Sequence, residues 1–148
     1  MRVKGLLFLS VLSAVLAASA LDARSAVLGN WKTVDDKTGR TKSIVNLYLN
    51  EAGQLEGKVV DILHSDRGPN PLCEDCPGER AGKPIEGMVI IWNMEPASET
   101  EWRGGKILDP TNGKLYKAKI SLREDGKLEV RGFIGFSFLG RTQVWEPA

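Results

Sequence analysis

Four short polar clusters, each ending in glycine, divide this chain more sharply than any other feature. They are Asp35-Asp36-Lys37-Thr38-Gly39, Asn50-Glu51-Ala52-Gly53, Asp109-Pro110-Thr111-Asn112-Gly113 and Arg123-Glu124-Asp125-Gly126. Glycine reaches the positive φ that tight hairpin loops demand at little steric cost, so each cluster reads as a reversal of the chain. Between them lie runs rich in β-branched and aromatic residues at 43–49, 54–63, 88–92, 102–108, 114–122 and 128–136, with 29–34 in front and 141–145 behind. These are eight candidate strands. Tyr116, Ala118, Ile120 and Leu122 share one parity against Lys117, Lys119 and Ser121, and Leu128, Val130, Gly132, Ile134 and Phe136 repeat the alternation against Glu129 and Arg131. A period of two means one buried and one wet face.

No segment after residue 20 sustains helical periodicity; the best helix candidate, 85–94, is β-branched and follows Pro84. The expected fold class is therefore all-β. Short hairpin links favour antiparallel neighbours, and such strands avoid exposed edges as an up-and-down β-barrel or as a sandwich. Eight strands can enclose packed side chains or one small ligand. One stretch breaks the rhythm: residues 65–84 carry four of the seven prolines and both cysteines without a strand pattern. A loop that long in a compact domain is functional or disordered as a rule, and a lid is one role open to it.

The first twenty residues read as an address. Arg2 and Lys4 precede an apolar run from Gly5 to Ala18, and Ala18-Ser19-Ala20 supplies a small-x-small cleavage site, the pattern of a secretory signal peptide cut after Ala20. The run is too short for a spanning helix, which needs roughly 20 residues. The expected organisation is a signal peptide at 1–20 and one barrel domain at 21–148, with no transmembrane segment after processing. Losing Arg2 and Lys4 from the 20 basic residues leaves 18 against 19 acidic ones, a net charge of −1. That balance lacks the basic excess a phosphate backbone attracts, so nucleic acid is not an expected partner. Export implies an oxidising compartment, here the periplasm.

The chemistry-bearing residues are few. One histidine and two cysteines leave little for a His-based triad or a closed zinc site. Cys73-Glu74-Asp75-Cys76 reads first as a local disulfide stiffening the loop. Redox catalysis would need a low-pKa thiolate, and acidic residues fill the motif instead. His64 with Cys73 and Cys76 forms a weak metal set, and an isolated loop histidine is more often solvated. No cofactor is expected. Trp31, Tyr48, Trp92 and Tyr116 are the aromatic candidates for lining an apolar cup, against ordinary core packing. Asp61 shares a parity with Leu55, Val59 and Leu63, and joins them as an orienting carboxylate if that face is inward. Phe133, Phe136 and Phe138, interleaved with glycines, are expected to complete a strand and its corner in the core, or else to form a sticky edge for a partner. Asp35, Asp36, Glu95, Glu99 and Glu101 read as solvated charge.

Several motifs resemble a known family in combination. They are Gly29-Asn30-Trp31, Lys83-Pro84-Ile85 leading into Gly87-Met88-Val89-Ile90-Ile91-Trp92, Gly104-Gly105-Lys106-Ile107-Leu108-Asp109-Pro110 with Gly113-Lys114-Leu115-Tyr116, Val130-Arg131-Gly132-Phe133-Ile134-Gly135, and Leu139-Gly140-Arg141-Thr142-Gln143-Val144-Trp145. Together, over 28–146, they resemble the exported bacterial family catalogued as domain of unknown function 2147. The resemblance implies a lipocalin-like (calycin-like) barrel in the periplasm and carries no established activity. A weaker echo adds to it: lipocalins open on Gly-x-Trp and lay a late basic side chain across that indole, which implies Arg141 over Trp31 as a cation–π closure worth about 0.5–2 kcal/mol. The function expected first is a non-enzymatic periplasmic carrier of a small, largely apolar molecule. The alternatives are an envelope interaction module and, third, a metal-handling or redox protein using the C-x-x-C loop.

Overall fold

The computed structural model describes residues 24–136 and 140–148; the expected signal peptide and Phe138 lie outside the described residues. Eight strands close into an antiparallel barrel, and a two-strand ladder stands apart. In chain order the strands are β1 (Gly29–Val34), β2 (Thr41–Leu49), β3 (Leu55–Ile62), β4 (Leu72–Cys73), β5 (Lys83–Pro84), β6 (Val89–Pro96), β7 (Glu101–Asp109), β8 (Lys114–Leu122), β9 (Leu128–Phe133) and β10 (Gly140–Pro147). Around the barrel the order is β1-β10-β9-β8-β7-β6-β3-β2, and β2 returns to β1. The four polar clusters are the reversals β1–β2, β2–β3, β7–β8 and β8–β9, with Gly39, Gly53, Gly113 and Gly126 at φ 70°, 76°, 72° and 78°.

Closure depends on the last strand pairing with the first, Trp31 opposite Pro147 and Lys32 opposite Glu146. Ala148 N–H donates to Asn30 O at 3.0 Å just beyond. This removes the sandwich alternative. Closing a sheet also requires coiled strands, and irregularities supply the bend. Asn93 takes a left-handed φ of 57°, which asparagine tolerates better than most residues. There β6 presses onto β7 so closely that a Cβ on Gly105 would meet the Trp92 carbonyl oxygen, with Met94 Sδ at 2.5 Å and Asn93 C at 2.8 Å. Only glycine fits at Gly105.

The hydrophobic core is graded along the barrel axis. At the end where β1 begins, Trp31, Leu47, Leu55, Met94, Trp102, Ile120, Leu128 and Trp145 are all buried. A turn at Arg24–Val27 caps that end: Val27 is fully buried, and its carbonyl accepts a hydrogen bond from Trp31 Nε1 at 2.8 Å. Each fully buried Leu or Ile contributes roughly 2 kcal/mol, so this floor carries much of the stability. Trp102 differs from its neighbours, because its buried indole N–H has no hydrogen-bond partner among the described residues.

The 65–84 loop lies on the outer wall. Ile90 and Leu108 have outward parity, opposite to inward Ile91 and Ile107, yet both are buried. The loop supplies buried Cys73 and Cys76 to the same cluster, and Ile85 just after it does the same. Arg80, on the single 3-10 turn Gly78–Arg80, stacks its guanidinium on Trp92 at 4.2 Å from the ring centroid and donates from Nε to Val89 O at 3.1 Å. Asp75 packs its main chain against Gly113 in the β7–β8 reversal. Cys73 and Cys76 form a disulfide with Cα atoms 5.4 Å apart, beside the β4–β5 ladder that folds the loop back on itself.

Candidate functional site

The opposite end of the barrel is built differently. Here the inward positions are Thr33 on β1, Ser43 on β2, Ile107 on β7, Tyr116 on β8, Gly132 on β9, and Arg141 and Gln143 on β10. Thr33 Oγ1 and Ser43 Oγ share a hydrogen bond of 2.7 Å, so the two hydroxyls satisfy each other inside the wall. Tyr116 leans over Gly132, where a Cβ would sit 3.3 Å from the tyrosine Cβ and 3.4 Å from its Cγ. An aromatic ring covering a strand glycine is a recognised way to fill that gap in a sheet.

A polar column climbs β10 from the floor to this mouth. Trp145 Nε1 donates to Gln143 Oε1 at 3.1 Å, and Gln143 Nε2 donates to Asp36 Oδ2 at 3.4 Å. The Arg141 guanidinium pairs with the same Asp36 oxygen. Arg141 belongs to the inward face because it lies opposite Gly132, two residues along from Gln143. Asp36 is delivered by the β1–β2 reversal, which Asp35 locks by accepting from the backbone N–H groups of Thr38 and Lys37 at 2.8 and 2.9 Å. The Thr38 N–H and hydroxyl, with help from Lys37 N–H, hold the Asp35 carboxyl below the usual carboxylate range.

Separately, at the end of β3, an open surface cleft of about 270 Å³ is lined by Ile62, Leu63, His64, Ser65, Gly68 and Pro69 and by none of the column's residues. Small-molecule pockets run about 300–1,000 Å³, so it falls below their range. Leu63, just past β3, and Ile134 and Phe136, just past β9, are 49%, 65% and 69% exposed at this end. Polar donors above an apolar rim are the ingredients of a site that orients an amphiphilic molecule.

The residues singled out in the sequence scatter. Tyr116 stands at the mouth, but Trp31 faces inward at the floor. Tyr48 is outside, donating to Glu56 Oε2 at 2.7 Å, and burial together with that glutamate pushes its phenol up to about 12. Trp92 is also outside, beneath Arg80. Asp61 is a correction: Val45 pairs with Val59 but Ile44 with Asp61, so the extra residue Val60 reverses the parity and turns Asp61 out to solvent. The Trp31–Arg141 closure is a second correction. Arg141 is six residues along β10 from Pro147, Trp31's partner, which places it about 20 Å up the strand; the floor is capped by Val27 instead.

A third correction concerns Ile134 to Phe136, expected in the core; β9 ends at Phe133 and both side chains are exposed. Asp36 and Glu95 are exposed, as expected of solvated charge, and Glu101 is half-buried; each also has a partner. Asp36 holds Arg141, Glu95 accepts from Gln54 at 2.7 Å, and Glu101 pairs with Arg103 and Lys119. His64 is exposed with Nε2 3.3 Å from Asp66, and no group of three potential metal ligands occurs among the described residues. Gln143 and Asp36 were the site residues sequence reasoning passed over. The shared parity of Arg141, Gln143 and Trp145 was the available signal for Gln143.

Residues 29–147, the whole barrel, match the model of a family described as uncharacterized protein conserved in bacteria (DUF2147). The chain belongs to this family. A solved structure shares its architecture: protein HP1028 from the human pathogen Helicobacter pylori, described as belonging to the lipocalin family, superposes with a TM-score of 0.71 over 82% of each chain at 17% identity. At that identity the likeness establishes the lipocalin-like fold of this family member and nothing further. No curated protein matches the sequence.

Proposed function

We propose that this barrel is an exported, periplasmic binding or carrier protein for a small, largely apolar molecule, taken up at the open end. The observation that carries the reading is the grading of the interior. A floor of buried tryptophans and aliphatics gives way to a mouth where Tyr116, Gln143 and Arg141 take the inward positions of β8 and β10. The lipocalin-like architecture is compatible with small-molecule binding, and the expected signal peptide supplies the compartment. Titration with N-phenyl-1-naphthylamine, a neutral apolar fluorophore, tests it: saturable one-to-one binding, weakened by Tyr116→Ala, is expected. Non-saturable binding, or binding indifferent to the mouth, would overturn it.

A second reading has one observation in its favour. Ile134 and Phe136 are both exposed just past β9, and exposed large apolar side chains can mark contact surfaces for proteins as well as for ligands. On that reading the protein is an envelope interaction module. A photocrosslinker in place of Ile134 would then capture one discrete protein partner while the naphthylamine fails to bind.

A further inference from the structure

Two donors in the mouth converge on a single oxygen. Arg141 and Gln143 Nε2 both reach Asp36 Oδ2. The glutamine amide is not free to turn its oxygen upward, because Trp145 Nε1 already holds Oε1 from below. An arginine fork beside an amide N–H, both presented from one strand, is a receptor for an anionic oxygen. Asp36 supplies that oxygen from a hairpin loop, not from the barrel wall, 105 residues away in the chain from Arg141.

The pair is partly open to water, with the Arg141 side chain 66% and the Asp36 side chain 36% exposed. An exposed ion pair is weak, so an incoming anion can replace the aspartate without stranding a charge in a dry site. Tyr116, packed over Gly132 opposite Arg141 in the register, and Ile134, exposed two residues past Gly132, are apolar surface near the guanidinium for the chain of such a molecule to lie on.

We propose that the ligand is an amphiphile with an anionic oxygen head group, that this head binds Arg141 and Gln143, and that Asp36 is an internal stand-in which it displaces. This rests on the binding reading above and narrows it to a ligand class. The exchange is non-covalent: the ligand oxyanion takes the guanidinium and amide hydrogen bonds, and the Asp36 carboxylate moves to water.

The test uses two fluorescent probes, dansylaminoundecanoic acid and its methyl ester, which share the apolar chain and differ in head charge. The protein, Asp36→Asn and Arg141→Gln are compared by titration, with circular dichroism reporting the fold of each. The acid is expected to bind the unaltered protein about tenfold more tightly than the ester. Asp36→Asn strengthens the acid about fivefold and leaves the ester unchanged. Arg141→Gln abolishes the preference. Equal binding of both probes, unmoved by Asp36→Asn, would overturn the anionic head while leaving the binding reading intact. Saturable binding of neither probe would overturn both. Asp36→Asn alone decides the matter if Arg141→Gln fails to fold.

Discussion

Trp31 and Trp102 offer a matched pair in the floor. Both indoles are buried, 4% and 2% exposed, so Trp→Phe removes the same atoms from similar surroundings. They differ in one respect: Trp31 Nε1 donates to Val27 O at 2.8 Å, while Trp102 Nε1 is buried without a partner among the described residues. Trp31→Phe therefore loses a hydrogen bond worth about 1 kcal/mol and strands a buried carbonyl at roughly 1–3 kcal/mol more. Trp102→Phe relieves a stranded donor, a gain of about 1–3 kcal/mol that offsets the lost packing. Trp31→Phe should thus be the more destabilising by about 3 kcal/mol or more. Urea unfolding followed by far-ultraviolet circular dichroism, which does not depend on the deleted fluorophore, measures it as a difference in midpoint at constant slope. Equal losses in the two variants would refute the reasoning, and would mean that the Trp102 N–H is satisfied in solution, as by an internal water.

Gly105→Ala is expected to destabilise the barrel by several kcal/mol, because its Cβ meets the Trp92 carbonyl, whereas Gly132→Ala, facing only the Tyr116 and Ile107 side chains and no backbone, costs under about 1.5 kcal/mol in the same assay. Replacing Cys73 and Cys76 by alanine removes a very short cross-linked loop and costs about 2 kcal/mol. Hydrogen exchange should then accelerate at Gly82 N–H, which donates to Cys73 O, and leave the β7–β8 ladder protected. Tyr48 has a native pKa near 12 against 10.0 unperturbed, so its contribution is complete below pH 10 and is lost as pH rises from there toward 12. Tyr48→Phe should flatten that alkaline loss of stability, read from urea midpoints across the interval. Lowering of the Glu101 carboxyl pKa, chiefly by its bond to Arg103, gives the opposite slope at acid pH, and Glu101→Gln should reduce it.

The hairpin plan was legible because its signals are local. Gly39, Gly53, Gly113 and Gly126 mark reversals within a few residues, and alternation in β8 and β9 gives their inward faces directly. The irregularities were not legible. Nothing in Val59-Val60-Asp61 announces that Val60 is the extra residue, because the bulge is imposed by closing β3 between β2 and β6. Asp61 therefore left the interior, and β6 ran on past Trp92 to Pro96 through the left-handed Asn93.

The site failed for a related reason. Whether an inward side chain lies at the floor or the mouth depends on its height along the barrel, and the sequence alone did not fix that register. Trp31 and Arg141 occupy opposite ends for that reason. Asp36 was unreadable because its partner lies 105 residues away and the loop geometry, set by Asp35, decides where it points. Outward aromatic side chains such as Trp92 are also misleading, since a loop rich in proline and glycine can cover the outer wall and bury them there.

Native mass spectrometry of the protein purified gently from the periplasmic fraction, followed by denaturation of the same sample, asks whether the barrel carries a ligand. The expected result is a chain starting at Leu21, two daltons light from its disulfide, that carries one discrete small molecule lost on denaturing. A bare chain of the same mass, which also takes up none of an added naphthylamine or long-chain acid, would contradict it.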